Sequence, residues 1–73
     1  MYILSKDKTI FGEYDQLTVN RSYVSGKDKK YAIFGSVGFH REALSYYPTK
    51  EEAVAELEKI YAACQNGDKT YAI

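Results

Sequence analysis

One stretch constrains this chain more than any other: Thr49 to Gly67, TKEEAVAELEKIYAACQNG, the only long helical pattern in the sequence. Ala53, Val54, Leu57, Ile60, Tyr61 and Cys64 recur at i, i+1, i+4, i+7, i+8 and i+11. That spacing is one apolar stripe at the 3.6-residue period. Glu56, Glu58, Lys59 and Gln65 fall off it and are expected to face water. Thr49 with Glu52 three residues on forms a capping box: the Thr hydroxyl takes the Glu52 N–H, and the Glu52 carboxylate reaches back to the Thr49 N–H. Pro48 disfavours helix for the residue before it, and Glu51 and Glu52 sit where the helix dipole favours negative charge. Asn66-Gly67 closes the helix, with Gly67 free to adopt the left-handed conformation. The prediction is a helix over about residues 50–65. Alone it would be marginal in water, so its stripe must pack on something.

The rest of the chain supplies that partner. Met1 to Leu4 read as a short strand, Ser5 to Lys8 as a polar turn, and Thr9 to Tyr14 as a second strand interrupted by Gly12. Leu17 to Val24 alternate, with Leu17, Val19 and Tyr23 on one face and Arg21 snorkelling at its margin. Ser25 to Lys30 form a charged loop that closes a hairpin into Tyr31–Val37. Gly38 to Arg41 turn the chain into Glu42–Tyr47, with Leu44 and Tyr46 on one side and Ala43, Ser45 and Tyr47 on the other. Thr70 to Ile73 end as a short strand. Strands followed by one helix argue an α+β fold: a single antiparallel sheet of four to five strands, the helix packed across it, and a short C-terminal strand. The expected core is Ile3, Ile10, Leu17, Val19, Tyr31, Ile33, Val37, Leu44 and Tyr46 beneath Val54, Leu57, Ile60 and Tyr61. Residues 28–33, DKKYAI, are echoed at 68–73, DKTYAI. The flanks differ, and a charged turn feeding a strand accounts for the echo.

At 73 residues the chain makes one domain, 1–73, which buries barely enough surface for stability on its own. It has one cysteine and therefore no internal disulfide. Cys64 lies on the apolar stripe and is expected to be a buried, inert thiol. Neither a targeting pattern nor a membrane-spanning run is present, so the expected location is cytoplasmic, without membrane contact.

The chemistry-bearing residues are few. One histidine, His40, and one cysteine cannot complete a tetrahedral zinc site without carboxylates or a second chain. No Ser sits in a nucleophile signature, and Glu13 and Asp15 read as solvated carboxylates. Gly35-Ser36-Val37-Gly38 looks like a phosphate-gripping loop, but a strand rather than a helix follows it. No catalytic residue, metal or cofactor is expected, and the chain is read as non-enzymatic.

The segment Tyr46-Tyr47-Pro48-Thr49-Lys50-Glu51-Glu52-Ala53, with Leu57 and Ile60 after it, joins the opening Tyr2-Ile3-Leu4-Ser5-Lys6-Asp7-Lys8-Thr9-Ile10 in one further respect. Together they resemble a loose set of small uncharacterised bacterial and prophage-type proteins, in which strands lead into a T-x-E-x-A-x-x-x-L-x-x-I helix. The resemblance implies the fold and no activity.

What remains is composition. Eight Tyr and three Phe stand against no Trp, and tyrosine suits half-buried sheets and interfaces. Charge is uneven: residues 1–50 hold eight Lys/Arg and five Asp/Glu, hence +3, and residues 51–73 hold two and five, hence −3. One helix, about 10–12 Å across, cannot cover a sheet of four or five strands at ~4.8 Å spacing. An exposed aromatic patch is therefore expected, formed by Phe34 and some of Phe11, Tyr23, Tyr47 and Phe39, to bind a protein partner or a second copy in a homodimer. The alternative is a nucleic-acid accessory protein using Arg21, Lys27, Lys29, Lys30 and Arg41 beside sheet aromatics.

Overall fold

In the computed structural model, which describes all 73 residues, the helix α1 spans Lys50–Gln65. Thr49 is its cap: the hydroxyl accepts from the Glu52 N–H at 3.2 Å. The second half of the expected capping box is different, because the Thr49 hydroxyl itself donates to the Glu52 carboxylate at 3.0 Å. At the far end Gly67 takes φ 85. Its N–H donates to the Cys64 carbonyl at 3.1 Å, and the Asp68 N–H to the Ala63 carbonyl at 3.0 Å. This is the Schellman pair of bonds that satisfies carbonyls with no helical partner.

The class is α+β, but the strands form two three-stranded sheets rather than one. In chain order they are β1 (Tyr2–Leu4), β2 (Phe11–Glu13), β3 (Gln16–Arg21), β4 (Tyr31–Val37), β5 (His40–Tyr47) and, after α1, β6 (Thr70–Ala72). The larger sheet runs β3-β4-β5, antiparallel throughout. The smaller runs β2-β1-β6, and β6 lies parallel to β1, so the expected all-antiparallel sheet is corrected here as well. The partition is decided at Tyr14 and Asp15. Between β2 and β3 the Tyr14 ring folds onto Gly35, where a Cβ would lie 2.6 Å from the ring. Asp15 donates its N–H to the Ser36 carbonyl at 2.9 Å. Two residues thus carry the chain from one sheet to the other.

The buried cluster is Ile3, Ile33, Leu44, Tyr47, Ala53 and Ile60. Burying a side chain such as Ile33 stabilises by about 1.5–3 kcal/mol. Most of the expected core packs there, with four departures: Tyr46, Val37, Tyr61 and the half-buried Val54. Tyr46 is replaced by Tyr47, because a β-bulge between Ile33 and Phe34 pairs Ile33 with Ser45 but Phe34 with Ala43, leaving Leu44 as the extra residue. Both Leu44 and the Ser45–Tyr47 side of β5 then face inward, which strict alternation forbids. The bulge also frees the Leu44 carbonyl to accept the Lys6 N–H at 3.0 Å, tying the two sheets together. Val37, at the end of β4, is 45% exposed, and Tyr61 is 64% exposed. Cys64 is exposed too, against expectation, because the last helical turn extends past what the sheet covers.

The DKKYAI echo starts two strands of different fate. Ala32 and Ile33 are fully buried in β4, whereas Ala72 is exposed in β6. Tyr71 anchors β6 to the helix, donating its hydroxyl to Glu56 at 2.5 Å.

Candidate interaction site

Part of the helical stripe is left unsealed by the sheet beneath it. Ala53 and Ile60 are sealed in the core, while Val54, Leu57, Tyr61 and Cys64 flank them on one side of α1. Opposite stand Met1 and Ile3 of the small sheet and the corner Tyr14 to Leu17. Between these walls lies an open groove of about 700 Å³, in which nine of twelve lining residues are hydrophobic, so water gains little there. The three polar ones are Asp15, Gln16 and Glu58. No Lys or Arg lines it, and neither carboxylate is in an ion pair; the ion pairs of the fold are Met1–Glu13 and His40–Glu42. The groove is therefore apolar inside with uncompensated negative charge at its edge.

Tyr14 is the wall that holds its shape. Its hydroxyl donates to Glu42 at 2.5 Å, and His40 lies 3.3 Å from the other oxygen of the same carboxylate. The bond from Tyr14, then that from His40, holds Glu42 below its usual carboxylate value. Burial, reinforced by Glu42, pushes Tyr14 up to about 12, and burial with Glu56 does the same to Tyr71. Asp7 is held low by hydrogen bonds from Thr9 and Ser5. Each of these groups moves away from neutrality, the wrong direction for acid–base work near pH 7.

The second surface is the face of the β3-β4-β5 sheet that α1 does not cover. Alternation and register put Thr18, Asn20, Phe34, Ser36, Arg41 and Tyr46 on it, with Ala32 fully buried among them. Arg41 lies over the Phe34 ring at 4.1 Å, and Lys29 over Tyr46 at 5.7 Å. Lys27 and Lys29 reach this region through a 3-10 turn, Lys27–Lys29, at the start of β4. Arg21 and Lys30 flank the same end, exposed, while Arg41 stands toward the other.

Phe34 and the four aromatic residues expected to contribute to its patch do not come together. Tyr47 is only 7% exposed, and its hydroxyl accepts from buried Ser45 at 2.7 Å; the bulge turned it into the core, so it is withdrawn from any surface. Phe11 belongs to the other sheet, where it stacks on Tyr2 at 5.3 Å. Phe34 is half-buried under Arg41. Tyr23, before β4, and Phe39, after it, are fully exposed. A seven-residue strand of roughly 23 Å separates them. The groove went unpredicted because the whole stripe was assigned to the core. Its signal in the sequence is the breadth of that stripe, since Val54 and Tyr61 lie at its edge.

Comparison with known protein families, with characterised proteins and with solved structures returns no match. No helix is long and apolar enough to cross a membrane.

Proposed function

We propose that this chain is a small, non-enzymatic protein-interaction module that binds through the groove between α1 and the Tyr14–Leu17 corner. The observation that carries this is the groove itself: an apolar cleft flanked by Asp15 and Glu58, with no Lys or Arg in its lining. Leaving Val54, Leu57 and Tyr61 open to water forgoes burial that a domain this small needs, which favours a surface kept for a partner. Its chemistry suits an apolar or aromatic anchor bordered by positive charge. The test is photo-crosslinking in source cells from a benzophenone side chain at position 61, with position 59 on the water-facing side as control. A distinct partner, captured from 61 and lost with Asp15→Lys/Glu58→Lys, is the expected outcome. Identical products from both positions would remove the groove as a binding site.

A second reading is favoured by the open sheet face, where Arg41 over Phe34 and Lys29 over Tyr46 combine rings with cations. Single-stranded nucleic acid is bound by such stacking platforms. A salt-dependent mobility shift with single-stranded DNA or RNA, weakened by Phe34→Ala, would support it. Titration without any shift at low salt would exclude it, because phosphate contacts are strongest there.

A further inference from the structure

The groove is matched by another part of the same molecule. β4 and β5 are joined by a two-residue turn, Gly38–Phe39, with Val37 paired to His40 across it. Gly38 takes φ 58, a conformation L side chains rarely adopt, so the turn is tight and Gly is needed at its first position. Phe39 projects from this turn with a relative exposure of 111%, the highest of the exposed large hydrophobic residues, and Val37 beside it is 45% exposed. His40 and Arg41 follow; His40 is paired with Glu42 at 3.3 Å, whereas Arg41 is in no ion pair. An apolar ring on a rigid turn, bordered by the Arg41 guanidinium, is what an apolar groove bordered by Asp15 and Glu58 selects.

We propose that the occupant of the groove is a second copy of this chain, seated through its β4–β5 hairpin tip with Phe39 as the anchor. This rests on the groove being an interaction site, and it names the partner. Three observations favour a second copy. The first is the complementarity just described. The second is position. The Asp15 N–H bonds the Ser36 carbonyl at 2.9 Å, so the edge of the groove and the base of the hairpin tip are neighbours at one end of the fold. Two copies related by a two-fold axis through that end can exchange tips reciprocally, which closes the assembly as a dimer. Tyr23, the other fully exposed ring near basic residues, lies at the opposite end of β4, away from the groove edge at Asp15. The third is area: one Phe buries about 150–250 Å², and reciprocal seating doubles that to about 300–500 Å² in one contact, below the roughly 800 Å² per partner of a stable interface, so the dimer is a weak one. A small molecule fits less well: no buried polar side-chain atom lacks a partner, so nothing unsatisfied inside the groove would orient one.

The experiment is sedimentation equilibrium on the full chain over a wide concentration range, for wild type, Phe39→Ser and Tyr23→Ser. It is paired with isotope-filtered NOE spectroscopy on an equal mixture of labelled and unlabelled wild type. Both variants change exposed loop side chains, so both should fold. The expected result is a wild-type dimer, a dimer constant weakened about tenfold or more by Phe39→Ser, and no change with Tyr23→Ser. Intermolecular NOEs should run from the Phe39 ring to Leu57 and Tyr61. A wild type that stays monomeric throughout overturns the proposal, as does a dimer indifferent to Phe39→Ser or one whose NOEs lie elsewhere. If the monomer still gives a groove-specific crosslink to another protein, the interaction module stands and only the second copy is lost.

Discussion

Gly35→Ala should be the most informative substitution in this fold. A Cβ at Gly35 would lie 2.6, 2.7 and 2.8 Å from Cδ1, Cγ and Cε1 of Tyr14. Ordinary contact begins at 3.4 Å, so the ring must retreat by 3.4 − 2.6, or about 0.8 Å. Cγ does not move when the ring turns about χ2, so the clash is cleared only by swinging the whole ring about χ1, which breaks the Tyr14–Glu42 hydrogen bond, or by shifting the Tyr14–Asp15 corner. That corner carries the chain between the two sheets and holds the Tyr14–Glu42 hydrogen bond. Overpacking of this kind costs about 1–3 kcal/mol, and replacing a strand glycine by alanine returns about 0.5–1 kcal/mol. The net loss expected is about 1–2 kcal/mol, a fall in Tm of roughly 5–15 °C for a domain of this size. Urea and thermal unfolding followed by circular dichroism measure it. The decisive comparison is a double-mutant cycle with Tyr14→Ala, in which Gly35→Ala should become neutral or stabilising because the clash is gone. An equal loss in both backgrounds would refute the packing argument.

Ile60→Ala should cost about 2–5 kcal/mol, enough to unfold much of a marginal domain, whereas Leu57→Ala should cost less because Leu57 already faces the groove; denaturant midpoints in which Leu57→Ala equals or exceeds Ile60→Ala would mean the groove is closed in solution. Thr49→Ala should remove the bond to the Glu52 N–H and lower stability by about 1 kcal/mol, and an unchanged midpoint would contradict the cap. Tyr14 and Tyr71 are raised from 10.0 to about 12. The unfolded chain therefore releases these protons first, and their contribution is complete below pH 10 and lost as pH climbs through about 12. Tyr14→Phe should make the decline of stability over that window shallower than in wild type, and parallel curves would show that Tyr14 is not coupled to folding.

The local elements were legible in the sequence. Helix α1 has the bounds its caps and period imply, and all six strands fall where alternation and turn residues put them, with β2 and β3 shorter than expected and β5 starting two residues earlier. These features depend on residues within four or five positions of each other, and that physics is written in the order of the side chains. Alternation failed at one place, β5, where the bulge at Leu44 exchanged Tyr46 for Tyr47 in the core. The inserted residue is defined only by the strand it faces, so no pattern within β5 could announce it.

The candidate site belongs to the same category. Asp15 and Glu58 are far apart in the chain and near each other only because Tyr14 packs on Gly35 and steers β2 and β3 into different sheets. That step left part of the helical stripe unsealed by the three-stranded sheet, exposing Val54, Leu57 and Tyr61 as one side of a groove. The sequence by itself determined the helix, its two ends, the strands and the amphipathic surfaces they present. Tertiary structure alone decided how many sheets those strands form, which aromatic rings are withdrawn and which apolar side chains stay in contact with water. Strand pairing is a choice among distant partners of similar local preference, settled by packing of the whole chain rather than by any segment of it.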